Sequence, residues 1–510
     1  MESIFTFNQE KLKKNILISP GRTDLITIPY AIPLLFFIYL SIQLTLRVLI
    51  QPGLNLDEAE QMILTQSFEL GYNAQPPLYT WLQMLFFQIF GKNLLALSIL
   101  KSCLLFFTYF FTYRAAQSIT SNHLLANMAA AATFFLPQIS WESQRALSHS
   151  VLATTISACT LYLILRLRNR KKATNGDYLL LGAVAGLGLL AKYNYAIFLS
   201  AVFLTCLIDR KLNRFFRNPK TALSIIALMA VVAPHSIWLF QNAEMICSSL
   251  NDKLNPAPSP FEIRGLFSFL RAVAGFAGPM ILVVLCLFKR SMIKKPDETV
   301  RNYIFIATIL LVLFTLFTGT TKFKDRWMQP IYLPVALLMV SMIDPDRITA
   351  QMKRRFIFTV YTTMIITILL LSGRFLMPDL MKNPPRSSYP FKEIAMEIDR
   401  LNIHPDLLIT ESNFIGGNLK PFFPALTVIT PDYAPELPNA KNVLVVWEED
   451  PPDWIKENSS SVKQLFSIAK PFPKSHKVYQ LHFARASVID EHRASVLAAK
   501  PNIVHIENQF

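Results

Sequence analysis

The sequence predicts an α-helical integral membrane protein that ends in a small α/β domain, and three observations predict it. Eleven apolar blocks recur between residues 26 and 376. Five basic clusters punctuate them on alternate connections. After about residue 377 the long apolar blocks stop, and short β-branched and aromatic runs mix with a helix-like one. Composition agrees: 52% of residues are hydrophobic, 39 are Phe, and the mean hydropathy is +0.35.

The first block, 26–46, carries no charge over 21 residues. That is enough to cross a hydrocarbon core of ~30 Å at ~1.5 Å per residue. It is too long for a signal-peptide core and lacks a small-x-small cleavage site, so it reads as a retained anchor. Further blocks lie at about 95–117, 124–140, 147–166, 178–191, 194–208, 221–240, 266–288, 302–318, 328–343 and 356–376. The stretch 178–208 reads as one long helix or as two short ones, and charge decides between them. Basic clusters occur at Lys11/Lys13/Lys14/Arg22, Arg166/Arg168/Arg170/Lys171/Lys172 and Arg210/Lys211/Arg214/Arg217/Lys220. Two more are Lys289/Arg290/Lys294/Lys295/Arg301 and Arg347/Lys353/Arg354/Arg355. With two crossings in 178–208 all five fall on one side, as the positive-inside rule demands; with one, the last three swap.

Eleven spans are therefore expected, with a cytoplasmic N-terminus (1–25), a membrane domain (26–376) and an outer, periplasmic α/β domain (377–510). The net charge of +16 is then a topology signal and a contact to anionic membrane lipids, not a groove for nucleic acid. The same topology places five segments outside: the first loop (51–94), the turn near Lys192, the loops 241–265 and 319–327, and the tail. The five cysteines lie in or beside apolar blocks without C-x-x-C spacing, so they read as small buried hydrophobes. In the tail, 392–402 has helical spacing, while DLLITES, LTVITP, NVLVVWEED and KVYQLHFA read as strands. The lone Gly416-Gly417 lacks the spacing of a phosphate-binding loop.

The first outer loop carries the strongest functional signal. Asp57 and Glu58 follow the first span, and Gly71-Tyr72 and Gln75-Pro76-Pro77-Leu78 come soon after, with Trp81 close behind. Asp57 with Glu60 resembles a capping box, so capping accounts for the acids locally. The alternative is a carboxylate held at the membrane face to take a proton from a hydroxyl. The apolar stretch 78–90 has 13 residues, too few to cross, and is flanked by Tyr and Trp. Two helices lying along the membrane surface, 57–70 and 77–90, are expected. The second outer loop, 138–150, adds Trp141, Glu142, Arg145 and His149; Glu142 and Arg145 are spaced to pair. A divalent metal on these acids and His149 is chemically feasible, but no ligand spacing supports it. Lys192, inside an apolar block beside Tyr193, and the turn with Lys322, Lys324 and Arg326 suit an anion such as a lipid phosphate. Snorkelling to headgroups is the other reading of the turn.

An N-terminal span, an acidic pair, G-Y, P-P-L-x-x-W, then A-K-Y-N and an outer K-D-R-W turn resemble the GT-C membrane glycosyltransferases. The likeness is to the branch of protein O-mannosyltransferases and lipid A aminoarabinose transferases, and within it to the rhizobial galacturonosyltransferase-like group. It covers about 25–345. The resemblance implies inverting transfer of a sugar from a polyprenyl-phosphate donor to an envelope glycan or lipid acceptor, lipopolysaccharide among them, at the outer face of the bacterial inner membrane. It maps the first-loop acid to Asp57, with Glu58 beside it, and the phosphate contacts to Lys192, Lys322, Lys324 and Arg326. Tyr72, Gln75, Pro76, Pro77, Glu142, Arg145, His149 and Tyr193 are expected to line the substrate cavity. Two positions depart from the pattern: Gln75 stands where lipid A transferases have lysine, and the second outer loop has no Asp.

Two other classes compete. A lipid or glycan flippase would want broken or charged helices at the midplane and internal repeats; the charges here cluster near span ends. A catalytically inactive scaffold whose tail binds a partner is the second.

Overall fold

The computed structural model describes residues 25–72, 75–254, 263–288, 292–377, 379, 384–433, 442–450, 462–473 and 477–487. The first basic cluster (Lys11, Lys13, Lys14, Arg22), Lys289 and Arg290 lie outside the described residues.

Most of the apolar blocks fold as helices, because uninterrupted Leu, Ile and Phe runs must satisfy their backbone groups internally in lipid. They are α1 (Ala31–Ile50), α4 (Leu94–Thr120), α5 (His123–Phe134), α6 (His149–Arg168), α7 (Asn175–Ala191) and α8 (Tyr195–Ile208). After a short α9 (Arg210–Phe216) come α10 (Thr221–Gln241), α11 (Ala243–Leu254), α12 (Ile263–Leu287) and α13 (Glu298–Thr318). The bundle closes with α14 (Val335–Ser341) and α15 (Ala350–Leu376). Seven of these (α1, α4, α6, α10, α12, α13 and α15) are long and apolar enough to cross a membrane by length and composition. The other four blocks form shorter helices: α5 has 12 residues, α7 17 and α8 14. The block 328–343 is broken into three short turns of helix by Pro330 and Pro334. α10 turns Ile225, Ile226, Met229, Ile237 and Phe240 outward, an apolar face suited to lipid.

Between α1 and α4 lie two small helices, α2 (Leu56–Leu64) and α3 (Leu78–Phe90). α3 has the expected bounds. α2 is shorter than the helix expected over 57–70, for a tertiary reason. Past Leu64 the side chains of Gln66, Ser67 and Glu69 all bond to the tail. The expected capping box is also displaced by two residues. Asn55 is the N-cap, and Glu58, at the third helical position, accepts its N–H at 2.9 Å. Asp57 takes no part in it.

The tail forms α16 (Phe391–Arg400), β1 (Leu407–Thr410), α17 (Asn413–Leu419), β2 (Thr427–Ile429), β3 (Asn442–Trp447), β4 (Val462–Pro471) and β5 (Val478–Ser487). The sheet order is β2-β1-β3-β5-β4, with β1 parallel to β2 and β3, and β5 antiparallel to β3 and β4. Four strands match the four sequence runs; β4 and α17 have no counterpart among the expected elements. Gly416-Gly417 sits in α17 as a close-packing surface. A Cβ at Gly417 would stand 2.1 Å from the Ala59 carbonyl oxygen, so α17 lies directly on α2.

Two apolar cores result. One fills the helix bundle. The other joins the tail to the segment between α1 and α4: Ala59, Met62 and Ile63 of α2, Tyr72 and Phe87 pack with Ile394, Leu408, Ile415, Val428 and Phe483.

Candidate active site

The site is built around the first turn of α2. Successive helical residues point ~100° apart, so Asp57 and Glu58 face different neighbours. Glu58 turns inward. Its Oε2 accepts from Arg47 at 2.6 Å and its Oε1 from Lys101 at 3.3 Å, with both partners nearly buried. Burial alone would raise its pKa, but Arg47, Lys101 and the Asn55 N–H together outweigh it and bring the carboxyl down to about 2. Both of its oxygens are committed.

Asp57 turns toward α6. Its Oδ2 accepts the Ser148 N–H at 3.0 Å, the one hydrogen bond to it among the described residues. Ser148 is the N-cap of α6, so the carboxylate sits at the positive end of a helix dipole. It is only half-buried, ringed by protein but open on one side. Burial pushes its pKa above the ordinary value, while Lys101, Arg326, the Ser148 N–H and Lys192 each pull it back. Four cations therefore gather around two carboxylates.

The N-terminal turn of α6 draws the remaining segments together. His149 meets the Gln61 side chain (3.5 Å) and the Ala191 carbonyl (3.4 Å), and its ring lies 5.3 Å from that of Tyr79. Ser150 Oγ accepts from Lys192 Nζ at 2.6 Å. Lys192 ends α7 in extended backbone and starts the turn to α8. Two residues on, Asn194 donates to the Trp327 carbonyl at 2.9 Å, tying this turn to the one that carries Lys322, Lys324 and Arg326. Asp325 of that turn accepts from Gln138 at 2.8 Å, which closes the ring onto the segment between α5 and α6. Lys322 and Arg326 are exposed and Lys324 is half-buried.

The other expected residues divide. Glu142 and Arg145 pair at 3.1 Å near the surface, one just inside and one just beyond a π-helical turn over Gln138–Glu142. The Tyr193 hydroxyl meets His235 Nε2 at 3.3 Å. Tyr72, Gln75, Pro76 and Pro77 shape the loop instead of facing Asp57. The Tyr72 hydroxyl accepts the Glu69 N–H and donates to the Ser67 carbonyl, both at 2.9 Å. Gln75 exchanges backbone hydrogen bonds with Tyr72, and both prolines are buried ahead of α3. The departure at Gln75 thus falls in this loop-shaping group. As for a metal, no group of three or more His, Cys, Asp or Glu side chains converges among the described residues. Glu58 is spent on two cations and Glu142 on Arg145, so these donors do not form a ligand set.

Sequence reading passed over Arg47, Lys101, Tyr79, Ser148 and Ser150. Lys101 was findable: an ionisable residue inside an apolar block is a functional candidate by default. Ser148 contributes a backbone N–H, which no residue pattern announces.

Comparison with known proteins places the chain. Residues 74–238 match the family model described as dolichyl-phosphate-mannose-protein mannosyltransferase. The lipopolysaccharide core galacturonosyltransferase RgtA of Rhizobium johnstonii is 30% identical over 430 residues, 81% of this chain and 86% of that one. RgtB of the same organism, also a lipopolysaccharide core galacturonosyltransferase, is 29% identical over 85% of this chain and 92% of that one. Among solved structures, ArnT from Cupriavidus metallidurans bound to undecaprenyl phosphate superposes with a TM-score of 0.62 at 13% identity, covering 88% of this chain and 97% of that one. Fold and site together define a membrane glycosyltransferase of the GT-C class. Within that class, the chain belongs to the family of the rhizobial lipopolysaccharide core galacturonosyltransferases.

Proposed function

We propose that the protein transfers a sugar, with inversion, from a polyprenyl-phosphate donor to a lipopolysaccharide or other envelope acceptor at the periplasmic face of the inner membrane. Asp57 is the base. Its ionised carboxylate takes the proton of the acceptor hydroxyl as the hydroxyl oxygen bonds to the anomeric carbon. The bond from that carbon to the phosphate oxygen breaks on the opposite face, and the electron pair leaves with the lipid phosphate. A diester with one charge becomes a monoester that carries up to two. Lys192, Arg326, Lys322 and Lys324 meet that growing charge, which makes them worth more in the transition state than in the bound donor. Glu58 holds Arg47 and Lys101 and so sets the angle of α2; it is a positioning residue. The alternatives of a flippase and of an inactive scaffold have no feature of the site in their favour.

One observation carries this reading: a half-open carboxylate with one hydrogen bond, facing Lys101, Lys192 and Arg326 across a single cluster. ArnT, whose fold this chain shares, was solved with undecaprenyl phosphate, and the relatives act on the lipopolysaccharide core, which supports the donor and acceptor classes. The test is an assay in inverted and right-side-out vesicles with a lipid-linked sugar, scored for transfer and for transport. Mass spectrometry of lipopolysaccharide with and without the gene names the acceptor. Donor translocation without glycosylation would make the protein a flippase.

A further inference from the structure

A second polar cluster gathers Arg145, Glu142, Trp141 and Arg374, and the transfer step leaves it unused. Arg374, in the last turn of α15, holds its guanidinium over the Trp141 ring, 5.8 Å from the centroid. Arg145 and Glu142, already paired, both act on the Arg374 charge. Two cations therefore share one carboxylate, leaving one positive charge in excess. The Arg374 Nε is buried with no hydrogen-bond partner. Leaving a charged donor without an acceptor in a poorly hydrated place is costly, and an incoming anion removes that cost.

Short connections tie the cluster to the turn that carries Asp57. Arg145 precedes by three residues Ser148, whose N–H holds Asp57, so its backbone is within ~11 Å of that contact. Arg374 lies one helical turn past Leu371, whose carbonyl accepts from the Gln51 side chain at 3.3 Å. Arg47, the partner of Glu58, also donates to the Gln51 carbonyl. One arm thus reaches the Asp57 contact over three positions of chain, and the other reaches Glu58 through Leu371, Gln51 and Arg47.

We propose that Arg145 and Arg374, beside Trp141, bind the carboxylate of a hexuronyl group. The inference rests on the transfer reading above and assigns the residues that would set that site's preference for an acidic sugar. Guanidinium forks match a carboxylate with two parallel hydrogen bonds, whereas a lysine offers only a point charge. The donor phosphate already has its own cations in Lys192 and the 322–326 turn. A single excess charge fits one further carboxylate. Relatives of this chain are galacturonosyltransferases, and galacturonate differs from galactose by that one group. The carboxylate belongs to the donor sugar or to an acidic sugar of the acceptor, and the experiment separates the two.

Binding is measured in lipid nanodiscs on an Asp57→Asn background, which prevents turnover. The donor probes are short-chain polyprenyl-phosphate galacturonate and its galactose counterpart. The acceptor probes are a carboxylate-bearing core oligosaccharide and its carboxyl-reduced form. The starting protein should bind the galacturonate donor about tenfold more tightly than the galactose donor, the usual scale of a charge-assisted hydrogen bond. Arg374→Gln and Arg145→Gln should each bring that ratio close to one, and Arg374→Lys should recover part of it. If the oligosaccharide ratio collapses instead, the carboxylate is the acceptor's and the site stands. Unchanged ratios in both arms overturn the proposal. Bare polyprenyl phosphate reports that each variant is folded. A failure of transfer in vesicles would sink the enzymatic reading without touching this binding result.

Discussion

Asp57 and Glu58 are neighbours in the chain whose carboxylates meet opposite surroundings. Glu58 is buried between Arg47 and Lys101 and is held ionised, at about 2. Asp57 accepts one backbone N–H, is half-buried, and is pushed above its ordinary pKa by burial. One residue of helix rotation separates a carboxylate committed to two cations from one with a single hydrogen bond among the described residues.

Asp57→Asn should therefore transfer sugar ~100-fold more slowly or worse, the usual worth of a general base, while expression and thermal stability stay near those of the native protein. The capping box belongs to Asn55 and Glu58, so Asn at 57 removes no cap. Normal turnover by this variant would move the chemistry elsewhere.

Glu58→Gln should do the reverse in kind. It strands Arg47 and Lys101 without their counter-ion, and breaking a buried pair costs about 3–5 kcal/mol. A marked drop in melting temperature in detergent is expected, with activity falling because α2 is no longer held. A Glu58→Gln protein as stable as the parent would remove the positioning role.

The two acids also predict a separation of activity and stability with pH. A raised pKa means that Asp57 gains its proton early as pH falls, so kcat/KM should fall through a pKa above the ordinary 3.8. Glu58 has the opposite sign. Its depressed value makes its contribution complete above the unfolded carboxyl pKa of ~4.3, and it is lost only as pH falls toward about 2. Acid should thus inactivate reversibly before it unfolds, a difference visible by running rate and melting profiles on one pH series. Coincident profiles would show that unfolding, not protonation of Asp57, sets the acid limb.

Replacing Lys322, Lys324 and Arg326 by Ala should raise the donor's KM and also slow kcat, since the phosphate gains charge as it departs. Arg326 alone should carry much of the effect, being the member of this turn that acts on Asp57. Ordinary kinetics in the triple variant would reduce the turn to a headgroup anchor.

Gly417→Ala tests the seat of α2 from the tail side. Its new Cβ would meet the Ala59 carbonyl at 2.1 Å, and neither backbone yields easily. A loss of about 1–3 kcal/mol is expected from overpacking. A fall in kcat larger than the stability change explains would tie the tail to catalysis. Asn418, which bonds the Leu54 N–H at 2.8 Å, and Gln66, which pairs with both backbone groups of Val428, hold the same seam.

The order of blocks, the helical membrane class and the small α/β tail were all legible in the sequence. Each follows from composition or period: long apolar runs have few structural options in lipid, and β-branched alternation has few in water. The bounds of α3 followed in the same way. Tertiary structure alone decided which acid is paired. The chain offers Asp57 and Glu58 side by side, and only Arg47 and Lys101, arriving from two other helices, commit one of them. It alone ended α2 at Leu64, because the next residues are claimed by the tail, and it alone gave Gly417 its purpose. Partners on other elements, 11 to 364 residues away, leave no local pattern, whereas helix periodicity and hydrophobic length are local by nature.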